Sequence, residues 1–155
     1  VIRSKVPAIV NRWDKGNYLL IGPYLNSNVA AVFEPTHDLN SPIGQAVKRM
    51  REKGVEVQYG TWLITGRPQV VLLNPFSVYK YLADIKTELW VDHQIPAQDG
   101  NDLLDQVMAF GFLVKLFMIE INAIGRRLKA IFFAGSGLDR GGLDPGNGNF
   151  RQCRA

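Results

Sequence analysis

Short apolar runs rich in Val, Ile and Leu alternate with longer segments of helical period, and this alternation restricts the fold more than any other feature of the chain. The apolar runs predict strands near residues 17–22, 29–34, 55–60, 69–74 and 129–134. Helical spacing predicts helices within residues 1–13, 43–54, 77–90 and 99–128. Strands that alternate with helices need crossover connections, so the sequence predicts an α/β domain with a largely parallel sheet.

Local signals sharpen three of these predictions. The stretch YGTWLITGRPQVVLLN, residues 59–74, predicts two short strands joined by a turn at Thr65 to Pro68. Gly54 directly follows a helical segment, where a C-cap glycine is expected. The third helical segment places Val78, Leu82, Ile85 and Leu89 on one face.

Composition excludes several classes of protein. At 155 residues the chain is long enough for one domain with a core, and its net charge of +4 is spread without an aromatic stacking pattern, so we expect no nucleic-acid partner. Cys153 is the only cysteine, which rules out an intrachain disulfide and fits the cytoplasm, and no signal peptide is visible. The most apolar window contains Lys115 and Glu120, which predicts a buried helix rather than a membrane span.

The two ends of the chain differ from its middle. The first residues already have helical spacing and no initiating Met, which indicates a fragment. Residues 135–155 are rich in glycine and poor in apolar residues, so we expect this tail to be disordered or poorly packed, whether it is a genuine linker or the product of a changed reading frame. The predicted organisation is a partial α/β lobe over residues 1–134, followed by the tail.

No catalytic or metal motif is present. The chain has no GxGxxG, GxxxxGK[ST], HExxH or CxxC, and its two histidines, His37 and His93, fall in polar connecting segments, so we expect no metal site and no catalytic triad. One polar cluster, Asp99, Asn101 and Asp102, lies directly before the longest helical segment. It fits either N-capping of that helix or the binding of a polar ligand at a sheet edge.

Several segments in order resemble one enzyme family. NYLLIGPY, VEVQYGTWLITGRPQVVLLN, ADIKTELW and FGFLVKLF resemble the N-terminal region of the animal- and fungal-type glycogen synthases over roughly residues 1 to 120. The resemblance implies a retaining, GT-B type glycosyltransferase with two Rossmann-like lobes. This chain would be part of the N-terminal lobe, and the hairpin at 59–74 would be scaffold on the acceptor side.

The resemblance also implies substrates and site residues. The expected partners are an α-1,4-glucan such as glycogen, a UDP-glucose or ADP-glucose donor, and a C-terminal lobe that this chain lacks; no cofactor and no catalytic residue within the chain are expected. Related bacterial synthases place a sugar-binding aspartate nine residues before a helix glycine, and Asp102 and Gly111 have that spacing. We therefore predict Asn101 and Asp102 as substrate-binding residues, with Asp105-Gln106 as the rival alignment.

Departures from the family pattern leave other functions open. The family's donor-phosphate loop would lie upstream of Val1, its His-Phe-His-Glu-Trp segment is replaced by GSGLDRGG, and Thr61 stands where the family has arginine. The alternatives are a non-catalytic Rossmann-like module that binds glucan or a protein partner, and a nucleotide-binding domain unrelated to glycosyl transfer. The flanking gene sequence distinguishes these, because only the synthase continues into a second lobe.

Overall fold

The computed structural model of this chain describes residues 2–13, 17–25, 32–97, 100–125 and 130–133. Four α-helices and five strands are found there: α1 (Ile2–Trp13), β1 (Tyr18–Pro23), β2 (Phe33–Pro35), α2 (Pro42–Glu52), β3 (Val57–Trp62), β4 (Gln69–Leu73), α3 (Leu82–His93), α4 (Asp102–Ala123) and β5 (Ala130–Phe133). A 3₁₀ helix, Pro75–Tyr81, connects β4 to α3.

The five strands form one sheet in the order β2-β3-β4-β1-β5. β1 is parallel to both of its neighbours, with Pro23 opposite Leu73 of β4 and Ile21 opposite Phe133 of β5. β3 is antiparallel to β4 and to β2. The sheet is therefore mixed, and the sequence prediction of a largely parallel sheet is wrong for β2 and β3.

The antiparallel half of the sheet follows from the turn between β3 and β4. Gly66 has φ +95° and Arg67 has φ +41°, a backbone conformation that reverses the chain tightly and that glycine adopts without steric cost. A short connection of this kind joins antiparallel strands only, whereas parallel neighbours require a long crossover. The hairpin predicted at Thr65 to Pro68 is thus confirmed, and it overrides the parallel arrangement expected from the alternation of elements.

The helix and strand predictions agree with the structure apart from their ends. The strand predicted at 29–34 is shorter, at Phe33–Pro35, and residues 26–31 lie outside the described part. The helix predicted over 77–90 begins with a 3₁₀ turn, because Asn74 caps that turn and Pro75 occupies its first position. His93 is the last residue of α3 rather than part of a loop. The predicted tail, 135–155, also lies outside the described residues.

Alternate side chains of β1 enter two separate cores on the two faces of the sheet. Leu19 and Ile21 join the larger core, which α2, α3 and α4 cover, and Tyr18 and Leu20 join the smaller core under α1. All four are at most 1% exposed, as expected for a strand that is covered on both faces. The α2 and α4 helices supply most of the larger core's helical side chains, with Met50, Leu113 and Phe117 fully buried.

The α2 and α4 helices have clear boundary signals. Ser41 accepts a hydrogen bond from the backbone N–H of Gly44 at 3.1 Å and caps α2, and Gly54, with φ +81°, follows its end as predicted. Asn101 caps α4. Although α4 is apolar on most sides, none of the described helices is both long and apolar enough to cross a membrane.

Candidate functional site

The carboxyl ends of β1 and β4 meet at one edge of the sheet. Pro23 and Leu73 are register partners at these ends, and the backbone N–H of Tyr24 donates to the carbonyl of Leu73 at 2.8 Å. In open α/β sheets ligands bind outside the carboxyl ends of parallel strands, where loops rather than packed helices face the solvent. A ligand site is therefore expected at this carboxyl edge of the sheet.

Asn74 holds the chain at this edge. Its side-chain oxygen accepts a hydrogen bond from Phe76 N–H at 3.0 Å, and its amide nitrogen donates to Glu56 at 2.6 Å. The hydroxyl of Ser77 donates to the carbonyl of Asn74 at 2.6 Å. These bonds cap the 3₁₀ helix directly after β4, so Pro75–Tyr81 is held close to the carboxyl edge.

The N-terminal turn of α4 lies beside that 3₁₀ helix. The two helices are in contact, and the charges of Asp102 and Asp105 both act on the half-buried Tyr79 of the 3₁₀ helix. Because Tyr79 is only a few residues from the end of β4, the start of α4 lies near the carboxyl edge of the sheet. The start of α4, which contains Asp102, therefore lies beside the 3₁₀ helix that follows β4.

Asn101 caps α4 with its side chain. Its Oδ1 accepts a hydrogen bond from the backbone N–H of Leu104 at 3.1 Å, so the capping alternative of the sequence prediction is confirmed. This bond uses only the amide oxygen, and the amide nitrogen carries two further donors. Asp102 is exposed, so its carboxylate is accessible to solvent and to a ligand. The predicted role of both residues in substrate binding stays a prediction.

Asp105, the rival to Asp102, has a different environment. Its Oδ1 lies 2.9 Å from Nζ of Lys86 in α3, and the two side chains are only 15% and 16% exposed. The same oxygen is buried without a hydrogen bond of good geometry, so charge attraction holds this contact. Asp105 is thus engaged between α3 and α4, while Asp102 remains open. This difference favours Asp102 over Asp105-Gln106 as the ligand-binding position.

Tyr79 is a neutral hydrogen-bonding group beside these carboxylates. Burial, and after it the charges of Asp105 and Asp102, raise the pKa of the Tyr79 hydroxyl. The phenol therefore keeps its proton at physiological pH. An exposed carboxylate that accepts hydrogen bonds, next to amide and phenol groups that donate them, has the chemistry to bind the hydroxyls of a sugar.

No role in the site is predicted from the sequence for Tyr79, Lys86 or Asn74. For Asn74 a local signal exists, because an Asn-Pro pair that follows a buried strand is typical of a capped turn. Lys86 and Asp105 are far apart in sequence and meet only through the packing of α3 on α4, so no local pattern could pair them. Asp99 of the predicted polar cluster lies outside the described residues.

Three concave surfaces are found among the described residues. A cavity of about 200 Å³ between α3 and α4 is lined by residues that include Glu88, His93 and Lys115, and a neighbouring one of about 330 Å³ reaches Lys53. An apolar groove of about 190 Å³ lies beside Trp62 and reaches Pro23 at the carboxyl end of β1. Neither Asn101 nor Asp102 lines any of these three. The predicted substrate-binding residues and these three cavities are therefore separate features of the described surface.

Comparison with known proteins gives a single family. The family model described as glycogen synthase matches residues 1–135. The glycogen [starch] synthase of Neurospora crassa is 32% identical over 131 residues, which is 84% of this chain and 18% of that protein. The liver glycogen [starch] synthases of Rattus norvegicus and Homo sapiens are 34% and 35% identical, over 89% of this chain and 20% of each relative. The chain thus spans about a fifth of the length of these relatives.

Proposed function

This chain belongs to the glycogen synthase family, and on that basis we propose that it forms part of the N-terminal lobe of a GT-B type glycosyltransferase. The complete polypeptide transfers glucose from UDP-glucose or ADP-glucose to the end of an α-1,4-glucan, with retention of configuration. A second lobe, outside this chain, closes over the donor. The enzyme acts in the cytoplasm, where the sugar nucleotide is found.

The observation that carries this proposal is the extent of the family match. It covers residues 1–135 and so includes every element from α1 to β5, together with the carboxyl edge of the sheet. A binding module unrelated to glycosyl transfer would have no reason to keep that whole segment at 31–35% identity to synthases from fungi and animals. The alternative, a non-catalytic module, predicts that the complete polypeptide binds glucan without transferring glucose.

Within the proposed enzyme, Asn101 and Asp102 contact the glucosyl group of the donor. The Asp102 carboxylate accepts hydrogen bonds from sugar hydroxyls, and the amide nitrogen of Asn101 donates one. Neither residue attacks the sugar or moves its leaving group. Their contribution is to hold the anomeric carbon in line with the acceptor, which is a matter of position and orientation.

The hairpin of β3 and β4 has a structural role in this proposal. β4 lies at the centre of the sheet between β3 and β1, and its carboxyl end leads directly into the capped 3₁₀ helix. The hairpin thus positions the edge of the sheet without contributing a catalytic group. Thr61, where the family pattern has arginine, is half-buried within β3 and pairs with Gln69.

The test is an assay of the complete polypeptide that carries this segment. With glycogen as acceptor and UDP-glucose or ADP-glucose as donor, we expect chain extension, and we expect Asp102→Asn to raise KM for the donor by about tenfold, the effect of losing one charged hydrogen bond. Asp84→Asn is the matched control, because Asp84 is an exposed aspartate in the first turn of α3. Glucan binding without transfer by the complete polypeptide would instead establish the non-catalytic module.

A further inference from the structure

We infer that Lys86 and Asp105 are positioning residues that hold the N-terminal turn of α4, and with it Asn101 and Asp102, against α3 beside the carboxyl edge. This inference rests on the proposed donor-binding role of that turn. It assigns to Lys86 a contact with Asp105 and none with the substrate.

Both partners of the Lys86–Asp105 pair are largely buried, unlike those of the pairs Lys115–Glu88 and Arg67–Glu34. The side chains of Lys86 and Asp105 are 16% and 15% exposed. The Lys115–Glu88 pair, which also joins α3 to α4, is 55% and 41% exposed, and Arg67–Glu34 is 58% and 57% exposed. Solvent screens exposed pairs strongly, so most of them contribute little. Removing Lys86 would leave the Asp105 carboxylate unpaired in a partly desolvated position, which is costly.

Asp105 is directly linked to the candidate ligand-binding residues. Its backbone N–H donates to the carbonyl of Asn101 at 3.0 Å, and the neighbouring Leu104 N–H donates to the Asn101 side chain. Asp105 therefore connects α3, through its side chain, to Asn101, through its backbone. Any shift of Asp105 relative to α3 moves the cap residue with it.

The turn has little other packing to hold it. Asn101, Asp102 and Leu103 are all exposed, and Leu103 is 71% exposed although it is a large apolar side chain. Gly100, immediately before the turn, has φ +79°, and no atom lies within 4 Å of where its Cβ would be. A turn of this kind opens locally unless a specific contact restrains it. A ligand-binding group has to be held within about 0.5 Å to be effective, and the ion pair supplies that restraint.

The first experiment measures the turn directly in the 155-residue chain. Hydrogen exchange is followed at the backbone amides of Leu104 and Asp105 in the unmodified chain, in Lys86→Met and in Lys86→Arg. We expect Lys86→Met to speed exchange at these amides by about tenfold and Lys86→Arg to restore most of the protection. Lys115→Met is the matched control, because it breaks the Lys115–Glu88 ion pair between the same two helices, and we expect it to leave exchange at these amides unchanged.

The second experiment uses the complete polypeptide. Lys86→Met is expected to raise KM for the sugar nucleotide by about tenfold and to leave KM for glycogen unchanged. In an Asp102→Asn background the same substitution is expected to have little further effect, because its action passes through that turn. If Lys86 only stabilised the fold, Lys86→Met would lower the melting temperature, and its effect on donor KM would be the same with and without Asp102→Asn.

The outcomes separate the inference from the proposed function. Unchanged exchange at Leu104 and Asp105 in a folded Lys86→Met chain would overturn the inference, and so would fully additive effects of Lys86→Met and Asp102→Asn on donor KM. If exchange rises but Asp102→Asn leaves donor KM unchanged, the ion pair does position the turn and the proposed donor site is wrong.

Discussion

Glu120 is the one charged residue that is buried among those the structure describes. Near the end of α4, it forms a hydrogen-bonded ion pair with Lys53, and its second oxygen lies 3.6 Å from Arg49 of α2. The hydrogen bond from Lys53 lowers the pKa of Glu120; burial opposes this effect, and the charges of Lys53 and Arg49 add to it. The ion cluster thus joins the C-terminal parts of α2 and α4.

This cluster makes the stability of the chain depend on pH. A carboxyl group whose pKa is lower in the folded state stabilises the fold above its ordinary value of 4.5, and this contribution is lost as the pH falls through the lowered folded pKa. We expect Glu120→Gln to reduce the free energy of unfolding by roughly 1–3 kcal/mol at neutral pH. Between about pH 6 and pH 3 the free energy of unfolding, measured by chemical denaturation, should fall less in Glu120→Gln than in the unmodified chain. An equal fall in both proteins would contradict this prediction.

Two glycines provide a second test at the scale of single residues. Gly111 lies in the interior of α4, and beyond its chain neighbours and the adjacent backbone of the helix no atom lies within 4 Å of where its Cβ would be. We expect Gly111→Ala to raise the free energy of unfolding by about 0.5–1 kcal/mol, because alanine loses less backbone entropy in a helix.

Gly60 is the matched control for Gly111. A Cβ on Gly60 would lie 2.1 Å from the carbonyl oxygen of Glu34 and 2.8 Å from the ring of Phe33, where β3 pairs with β2. Gly60→Ala is therefore expected to lower the free energy of unfolding by about 1–3 kcal/mol. Thermal denaturation of both variants checks this pair. If both variants changed the melting temperature by the same amount in the same direction, the space around each glycine would not determine how alanine affects stability.

At the scale of elements, the capping of α4 is the feature most easily tested. Asn101→Ala removes the hydrogen bond to the Leu104 N–H, and we expect a loss of about 1 kcal/mol in the free energy of unfolding. Asn101→Ser keeps a capping oxygen and should restore most of that stability. In the complete polypeptide the two variants also separate capping from substrate binding. If donor KM rises in Asn101→Ser although stability is restored, the amide itself contacts the donor.

The turn of the hairpin contacts α1 and sets the pairing register of β3 and β4. Gly66 lies against α1, where a Cβ would approach Val6 at 3.2 Å, so the turn between β3 and β4 is also part of the smaller core's edge. The side chains of β4 alternate between the two cores, with Val70 and Leu72 on one face and Val71 and Leu73 on the other. One short connection therefore sets the register of both faces of the sheet.

At the scale of the whole molecule, the chain on its own is expected to lack synthase activity. Retaining glycosyl transfer needs charge stabilisation of the leaving diphosphate and of the developing oxocarbenium ion. The groups proposed here, Asn101 and Asp102, bind and orient the sugar only. Incubation of the purified chain with UDP-glucose and glycogen, with the complete polypeptide as positive control, should give no measurable extension of glucan. Robust extension by the chain alone would contradict this prediction.

What the sequence determined by itself was local. Strands, helices, the hairpin turn, the Gly54 and Asn101 caps and the buried stripe containing Val78 and Ile85 were all predictable, because each depends on side chains or backbone preferences within a few residues. The family was also recognisable, because several segments occur in the same order as in its members.

The tertiary structure decided what depends on residues far apart in the chain. Packing of α3 on α4 brings Lys86 to Asp105 and leaves Asp102 exposed, and packing of α2 on α4 buries Glu120 between two bases. Such pairings carry no sequence period, because burial and charge compensation arise only once the elements have packed together.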